Sequence, residues 1–122
     1  MAKSYEEMVA EARDETEQVG VEELHEAREA GEELTVLDVR EPGEWQAGHI
    51  PGAKHIPRGM LECLVADELP DRDHRIVVHC AVGGRGALAA KTLQEMGYTN
   101  VANMQGGTNA WSEKGYDIEV GG

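Results

Sequence analysis

Apolar residues along this chain follow two spacings. Tyr5, Met8, Val9 and Ala12 fall at i, i+3, i+4 and i+7, and Ser4 followed by Glu7 has capping-box spacing, so an amphipathic helix is predicted from Tyr5 to about Thr16. Gly20 interrupts it, and Val21, Leu24 and Ala27 mark a second short helix closed by Gly31. Leu34 to Val39 is a short β-branched, apolar run without strict alternation, as expected of a strand covered on both faces. Pro42 suits the first turn of a helix and Gly48 its end. The run from His49 to Pro57, with two prolines and a glycine, reads as an extended loop, after which Met60, Leu61, Leu64 and Val65 restore a helical stripe as far as Leu69. Arg75 to His79 is a second strand, Arg85 to Met96 a strong helix stopped by Gly97, and Val101 to Met104 a third strand before a short helix around Trp111. Strands separated by helical segments imply an α/β fold of three layers, with a small, mainly parallel sheet and helices on both faces.

A chain of 122 residues has room for one core. Phe is absent, so the aliphatic residues and Ala must supply most of that core. The net charge of −13 disfavours a sequence-nonspecific grip on nucleic acid or on an anionic membrane surface. The acidity is concentrated: residues 1–33 hold 12 acids and 3 bases, residues 34–122 hold 12 and 8. An acidic amphipathic helix over residues 1–18 is therefore expected ahead of the main domain at 19–122, favouring solubility, salt tolerance or a basic protein partner. No apolar run approaches the roughly 18 residues of a membrane span, and the first residues are acidic where a secretory signal is basic, which points to the cytoplasm. A reducing compartment would keep Cys63 and Cys80 as thiols.

The chemistry is concentrated where the strand ending at His79 delivers Cys80 to a turn that leads straight into a helix. In open α/β sheets, sites form beyond the carboxyl ends of the strands. A thiol here lies at the positive end of the following helix, near backbone N–H groups left free in its first turn, and both features favour the thiolate. Gly83, Gly84 and Gly86 allow the backbone to approach an anion closely, and Arg85 adds a permanent charge.

These features bring out a resemblance. Asp38, Arg40 and Glu41 match a D-x-R-E motif at the end of a first strand; Gly48 to Ala53 match G-H-I-P-G-A; Cys80 and Arg85 match a loop that begins with cysteine and ends with arginine five positions later; Gly106, Gly107 and Trp111 match a glycine pair followed by tryptophan. Together they make the chain resemble a single-domain rhodanese, a sulfurtransferase, over about Val19 to Val120. The resemblance implies that Cys80 attacks a sulfane donor (thiosulfate, polysulfide or a protein persulfide), becomes a persulfide, and hands its sulfur to a thiol or cyanide. It implies no cofactor and no metal. Ala81, Val82, Gly83, Gly84, Arg85, Gly86 and, after the signature loop, Arg58 are expected to hold the donor; Arg85 equally suits a tie across the loop, and Arg58 a solvated surface. The chain departs from many thiosulfate-specific members in having Ala81 and Val82, rather than a base, after the cysteine.

Asp38 and Arg40 are expected to brace neighbouring loops as an ion pair or hydrogen bond, with a direct catalytic role as the alternative. His49, His55, His74, His79 and Cys63 lack the spacing of a metal site. Cys63 falls in an apolar stripe and is expected in the core, a resolving thiol being the alternative. Two other functions stay open: a non-catalytic binding module, or an oxyanion phosphatase or arsenate reductase, although related enzymes of those types use a loop one residue longer.

Overall fold

A computed structural model describes residues 2–122. Six α-helices and five short strands alternate along them: α1 Tyr5–Glu15, β1 Glu17–Val19, α2 Val21–Glu29, β2 Thr35–Asp38, α3 Pro42–Ala47, β3 Lys54–His55, α4 Leu61–Glu68, β4 Ile76–His79, α5 Gly84–Glu95, β5 Val101–Met104 and α6 Gly107–Glu113, with a 3₁₀ turn Arg58–Met60 ahead of α4. The strands form one parallel sheet in the order β1-β5-β4-β2-β3. The expected α/β architecture is present.

Side-chain alternation along the central strands divides the core into two layers. Leu37, Val39, Ile76 and Val78 face α4 and α5, where Leu61, Val65, Ala89, Ala90 and Leu93 pack on them. Val36, Val77, Ala102 and Met104 face the other way, onto Val21 and Leu24 of α2 and Trp111 of α6. Because β2, β4 and β5 are buried on both faces, their sequences read as continuous apolar runs.

The capping box at Ser4 and Glu7 forms as predicted, Glu7 N–H donating to Ser4 Oγ at 3.1 Å and Ser4 N–H to Glu7 Oε1 at 3.0 Å. Only half of the helix's apolar stripe turns inward: Val9 and Ala12 pack on Ala87 of α5, while Tyr5 and Met8 stay exposed.

Two strands escape the sequence pattern. β1 is a polar edge strand, paired through Glu17 with Ala102 and Val19 with Met104, and the expected boundary between residues 18 and 19 falls inside it. β3 is two residues of the stretch read as loop, pairing Lys54 with Leu37 and His55 with Asp38. The stripe on α4 is also rotated from expectation. Leu61, Val65 and Leu69 point inward, whereas Met60, Cys63 and Leu64 are exposed, so Cys63 is a surface thiol and not a core residue.

Candidate active site

β4 lies in the middle of the sheet, and Cys80 immediately follows it, 1% exposed. The chain then bends through Ala81, Val82 and Gly83 into α5. Gly83 has φ +130°, a region open to glycine, and its N–H donates to Cys80 Sγ at 3.0 Å. The N–H groups of Ala81, Val82, Gly84, Arg85 and Gly86 have no acceptor among the described residues. Five free donors thus follow the sulfur, three of them in the first turn of α5, where the helix dipole is positive. Val82, at 62% exposure, forms an apolar lip on this loop.

The glycines of the loop each answer to a close neighbour. A Cβ at Gly86 would stand 2.4 Å from Asn103 Oδ1 and 3.2 Å from His79 Cα, so a side chain there would push α5 off the sheet. A Cβ at Gly84 would meet the Tyr5 hydroxyl at 2.0 Å. α1 therefore rests directly on the start of α5.

From the opposite side, the Gly106-Gly107 pair lets α6 press on the loop. Thr108 N–H donates to the Cys80 carbonyl at 2.9 Å, Thr108 Oγ1 to the same oxygen at 3.1 Å, and Asn109 N–H to the Ala81 carbonyl at 3.0 Å. A Cβ at Gly107 would lie 2.2 Å from the Cys80 carbonyl oxygen and 2.6 Å from that of Ala81. The glycine motif of the sequence is thus explained by a backbone contact with Cys80 and Ala81.

Beneath the loop lies a buried polar chain. Arg40 Nη2 donates to Asp38 Oδ2 at 2.7 Å and to the Gly48 carbonyl at 2.7 Å, and its Nε to Asp38 Oδ1 at 3.0 Å. Burial works to raise the Asp38 pKa, but hydrogen bonds from the Arg40 side chain and backbone N–H, with the Arg40 charge, outweigh it and hold the carboxyl below its ordinary value. His79, fully buried, sets Nε2 4.0 Å from Asp38 Oδ2 and Nδ1 3.1 Å from the Cys80 carbonyl. Burial pushes its pKa down, against Asp38, keeping the imidazole neutral. His79 touches the backbone of Cys80, as the opposite-face geometry of adjacent strand residues requires.

The arginines expected at the donor are both paired. Arg85 forms a fork with Glu44 of α3, Nη1 to Oε1 at 2.6 Å and Nη2 to Oε2 at 3.0 Å. That hydrogen bonding is the main cause holding the Glu44 carboxyl at about 2 and raising the Arg85 pKa, to which the nearby Cys80 thiol adds a smaller part. Arg58 reaches Glu62 at 3.0 Å and Thr92 Oγ1 at 3.0 Å. Thr92 is eight residues along α5 from Gly84, about 12 Å at the helical rise, so Arg58 is not brought to the loop. Glu44, Thr108 and α1 contribute contacts that the sequence reading did not assign. The two histidines of the signature loop are also engaged: Trp45 stacks on His49 and His55, His49 Nδ1 lies 2.9 Å from the Trp45 carbonyl, and His55 Nε2 lies 2.8 Å from the Arg40 carbonyl. Among the described residues no cluster of three or more His, Cys, Asp or Glu side chains is placed to hold a metal ion, and no helix is long and apolar enough to cross a membrane.

A parallel α/β sheet with a cysteine beyond its central strand, at a glycine-rich helix start, defines a class of proteins with a cysteine loop at the carboxyl end of the sheet. Within that class, the profile of the rhodanese-like domain matches residues 20–114, and the chain belongs to this family. It is 36% identical over 97 residues to the putative sulfur carrier protein YrkF of Bacillus subtilis, a match covering 80% of this chain and 51% of that protein. It is 33% identical over 89 residues to the thiosulfate sulfurtransferase GlpE of Pseudoalteromonas translucida, covering 73% and 82%. Against the structure of a protein of unknown function and possible tyrosine phosphatase from Rhodopseudomonas palustris, the TM-score is 0.90 at 33% identity, covering 98% of this chain and 96% of that one. The chain thus spans about half of the Bacillus protein but nearly the whole of the Rhodopseudomonas one.

Proposed function

We propose that the chain is a sulfurtransferase that carries sulfane sulfur as a persulfide on Cys80. The observation that supports this reading most directly is the 3.0 Å hydrogen bond from Gly83 N–H to Cys80 Sγ, followed by five N–H groups without acceptors. In the first step the Cys80 thiolate attacks the outer sulfur of a donor such as thiosulfate. A new S–S bond forms at Cys80, the donor's S–S bond breaks, and sulfite leaves with the bonding electron pair. In the second, an acceptor thiolate or cyanide takes the outer sulfur and the Cys80 thiolate returns. Between the steps the persulfide is an anion, and free backbone donors stabilise it without a metal. Ala81, Val82, Gly83, Gly84 and Gly86 form the cradle, Arg85 fixes its far end through Glu44, and Asp38 with Arg40 supports the strand ends below.

Intact-mass measurement after incubation with thiosulfate or polysulfide tests this reading. The wild-type chain gains one sulfur mass and Cys80→Ser gains none. Labelling that survives Cys80→Ser, or no labelling of the wild type by either donor, overturns it.

A further inference from the structure

α1 lies ahead of the residues that the family profile matches, yet it forms part of the wall of the Cys80 loop. The Tyr5 hydroxyl and Val9 Cγ2 lie on Gly84, and Arg13 Nη2 lies 3.1 Å from the position a Cβ would take on Gly83. Gly83 is the residue whose N–H holds the sulfur. Summed across the bonds of Gly83, these separations place the Arg13 guanidinium within about 9 Å of Cys80 Sγ.

Arg13 is the one base of α1, and its guanidinium makes no hydrogen bond or ion pair among the described residues. Three acids close to it in sequence are engaged elsewhere, Glu17 with Arg75, Glu15 with Lys91, and Glu11 with Lys3 and Lys91, and the adjacent Asp14 is exposed and forms no ion pair with it. The other arginines discussed above already have carboxylates, Arg85 through Glu44 and Arg58 through Glu62. Of these arginines, Arg13 is the one that holds no carboxylate among the described residues, and it comes from the acidic helix.

We infer that Arg13 binds the oxyanion end of a sulfonate-bearing sulfur donor at the Cys80 loop. This rests on Cys80 as the sulfur-accepting nucleophile. A thiolate attacking a dianion such as thiosulfate faces like-charge repulsion, and the leaving sulfite concentrates the donor's charge on its oxygens. A guanidinium beside Gly83 meets that charge with paired donors. Allowing about 3.5 Å for the attacking contact and about 2.8 Å for a charge-assisted hydrogen bond, a donor with one S–S and one S–O bond between its ends spans the remaining gap. The positive φ of Gly83 favours glycine there, and the absence of a side chain leaves the guanidinium room to lie against the loop.

The experiment compares the full chain with its Arg13→Gln and Arg13→Lys variants, using thiosulfate as donor and cyanide as acceptor. The expected result is a KM for thiosulfate raised about tenfold in Arg13→Gln, with kcat within twofold, and partial recovery in Arg13→Lys. Rates with glutathione persulfide, whose reacting end has no sulfonate, stay unchanged. A binding measurement keeps this inference separate from the sulfurtransferase reading: calorimetric titration of Cys80→Ser with thiosulfate shows binding that Arg13→Gln in the same background weakens about tenfold. That result sustains the anion site even if the wild type never acquires sulfur. An unchanged KM in Arg13→Gln, or thiosulfate binding to Cys80→Ser that is absent or indifferent to residue 13, overturns the inference while leaving Cys80 loading intact.

Discussion

Arg85 and Glu44 meet as a two-pronged ion pair, at 2.6 and 3.0 Å, that ties the first turn of α5 to α3. Both side chains are about a third exposed, so solvent screens the pair, and its value lies in fixing the last residue of the cysteine loop. The Glu44 carboxyl is held at about 2 against an ordinary 4.5, so the stability that the pair contributes is present above pH 4.5 and is lost as pH falls toward 2. A partly exposed pair is worth about 1 kcal/mol, so Glu44→Gln should slow persulfide loading about fivefold at pH 7. Arg85→Lys should do much the same, because an ammonium lacks the two parallel donors that hold both Glu44 oxygens. Stopped-flow loading rates check both, and rates equal to wild type would mean that the ion pair does not position the loop.

The contact between Gly107 and the Cys80 carbonyl predicts an unequal penalty at two glycines of positive φ. Gly107 has φ +55° and backbone atoms of Cys80 and Ala81 at 2.2 to 2.6 Å from a Cβ; Gly115 has φ +80° and open space. Gly115→Ala should cost about 1 kcal/mol from backbone strain alone, and Gly107→Ala about 3 kcal/mol or more because the loop itself must move. Urea midpoints measure the difference. Similar midpoints for the two variants would mean that α6 does not press on the loop.

What the sequence revealed and what it hid divide along physical lines. β2, β4 and β5 were legible because burial on both faces writes a continuous apolar run. β1 and β3 were not, because Glu17, Gln18, Lys54 and His55 are edge residues whose place is set by pairing with β5 and β2 rather than by their own pattern. The cysteine loop was legible because its chemistry is local, from the end of a strand to the start of a helix. Glu44 and Arg13 were not, since they reach the loop from 36 and 67 positions before Cys80 and carry no local signal. Cys63 went astray for a related reason: the stripe on α4 is wide enough to fit two rotations, and packing chose Leu61 and Val65 over Met60 and Leu64.

His79 makes stability depend on pH in the weakly acidic range. Burial holds its pKa below the ordinary 6.5, so below that pH the unfolded chain takes up a proton that the folded one refuses. Stability therefore falls as pH falls from about 6.5, by at most about 1.4 kcal/mol per pH unit for one proton. Urea melts at pH 7.5, 6.5 and 5.5 should show this slope, and it should flatten in His79→Gln. Independently, the His79 ring resonances should keep their neutral-form positions at pH 6; titration near 6.5 in the folded protein would contradict the assignment.

Asp38 and Arg40 allow the supporting and catalytic roles to be told apart. Asp38 is wholly buried and accepts from Arg40 at three atoms, the Arg40 backbone N–H at 3.0 Å included. Removing its charge strands a buried guanidinium that retains the Gly48 carbonyl as its neutral partner. Asp38→Asn should therefore cost about 3–5 kcal/mol, whereas replacing both residues by apolar ones of similar size should cost less than the two single changes added together. If the pair only supports the strand ends, the fraction of Asp38→Asn that remains folded at low temperature loads sulfur on Cys80 at a rate within a few-fold of wild type. A direct part in the chemistry would instead give a loading rate depressed about a hundredfold or more in fully folded protein. Circular dichroism to fix the folded fraction, read beside the loading rate of the same sample, separates these outcomes.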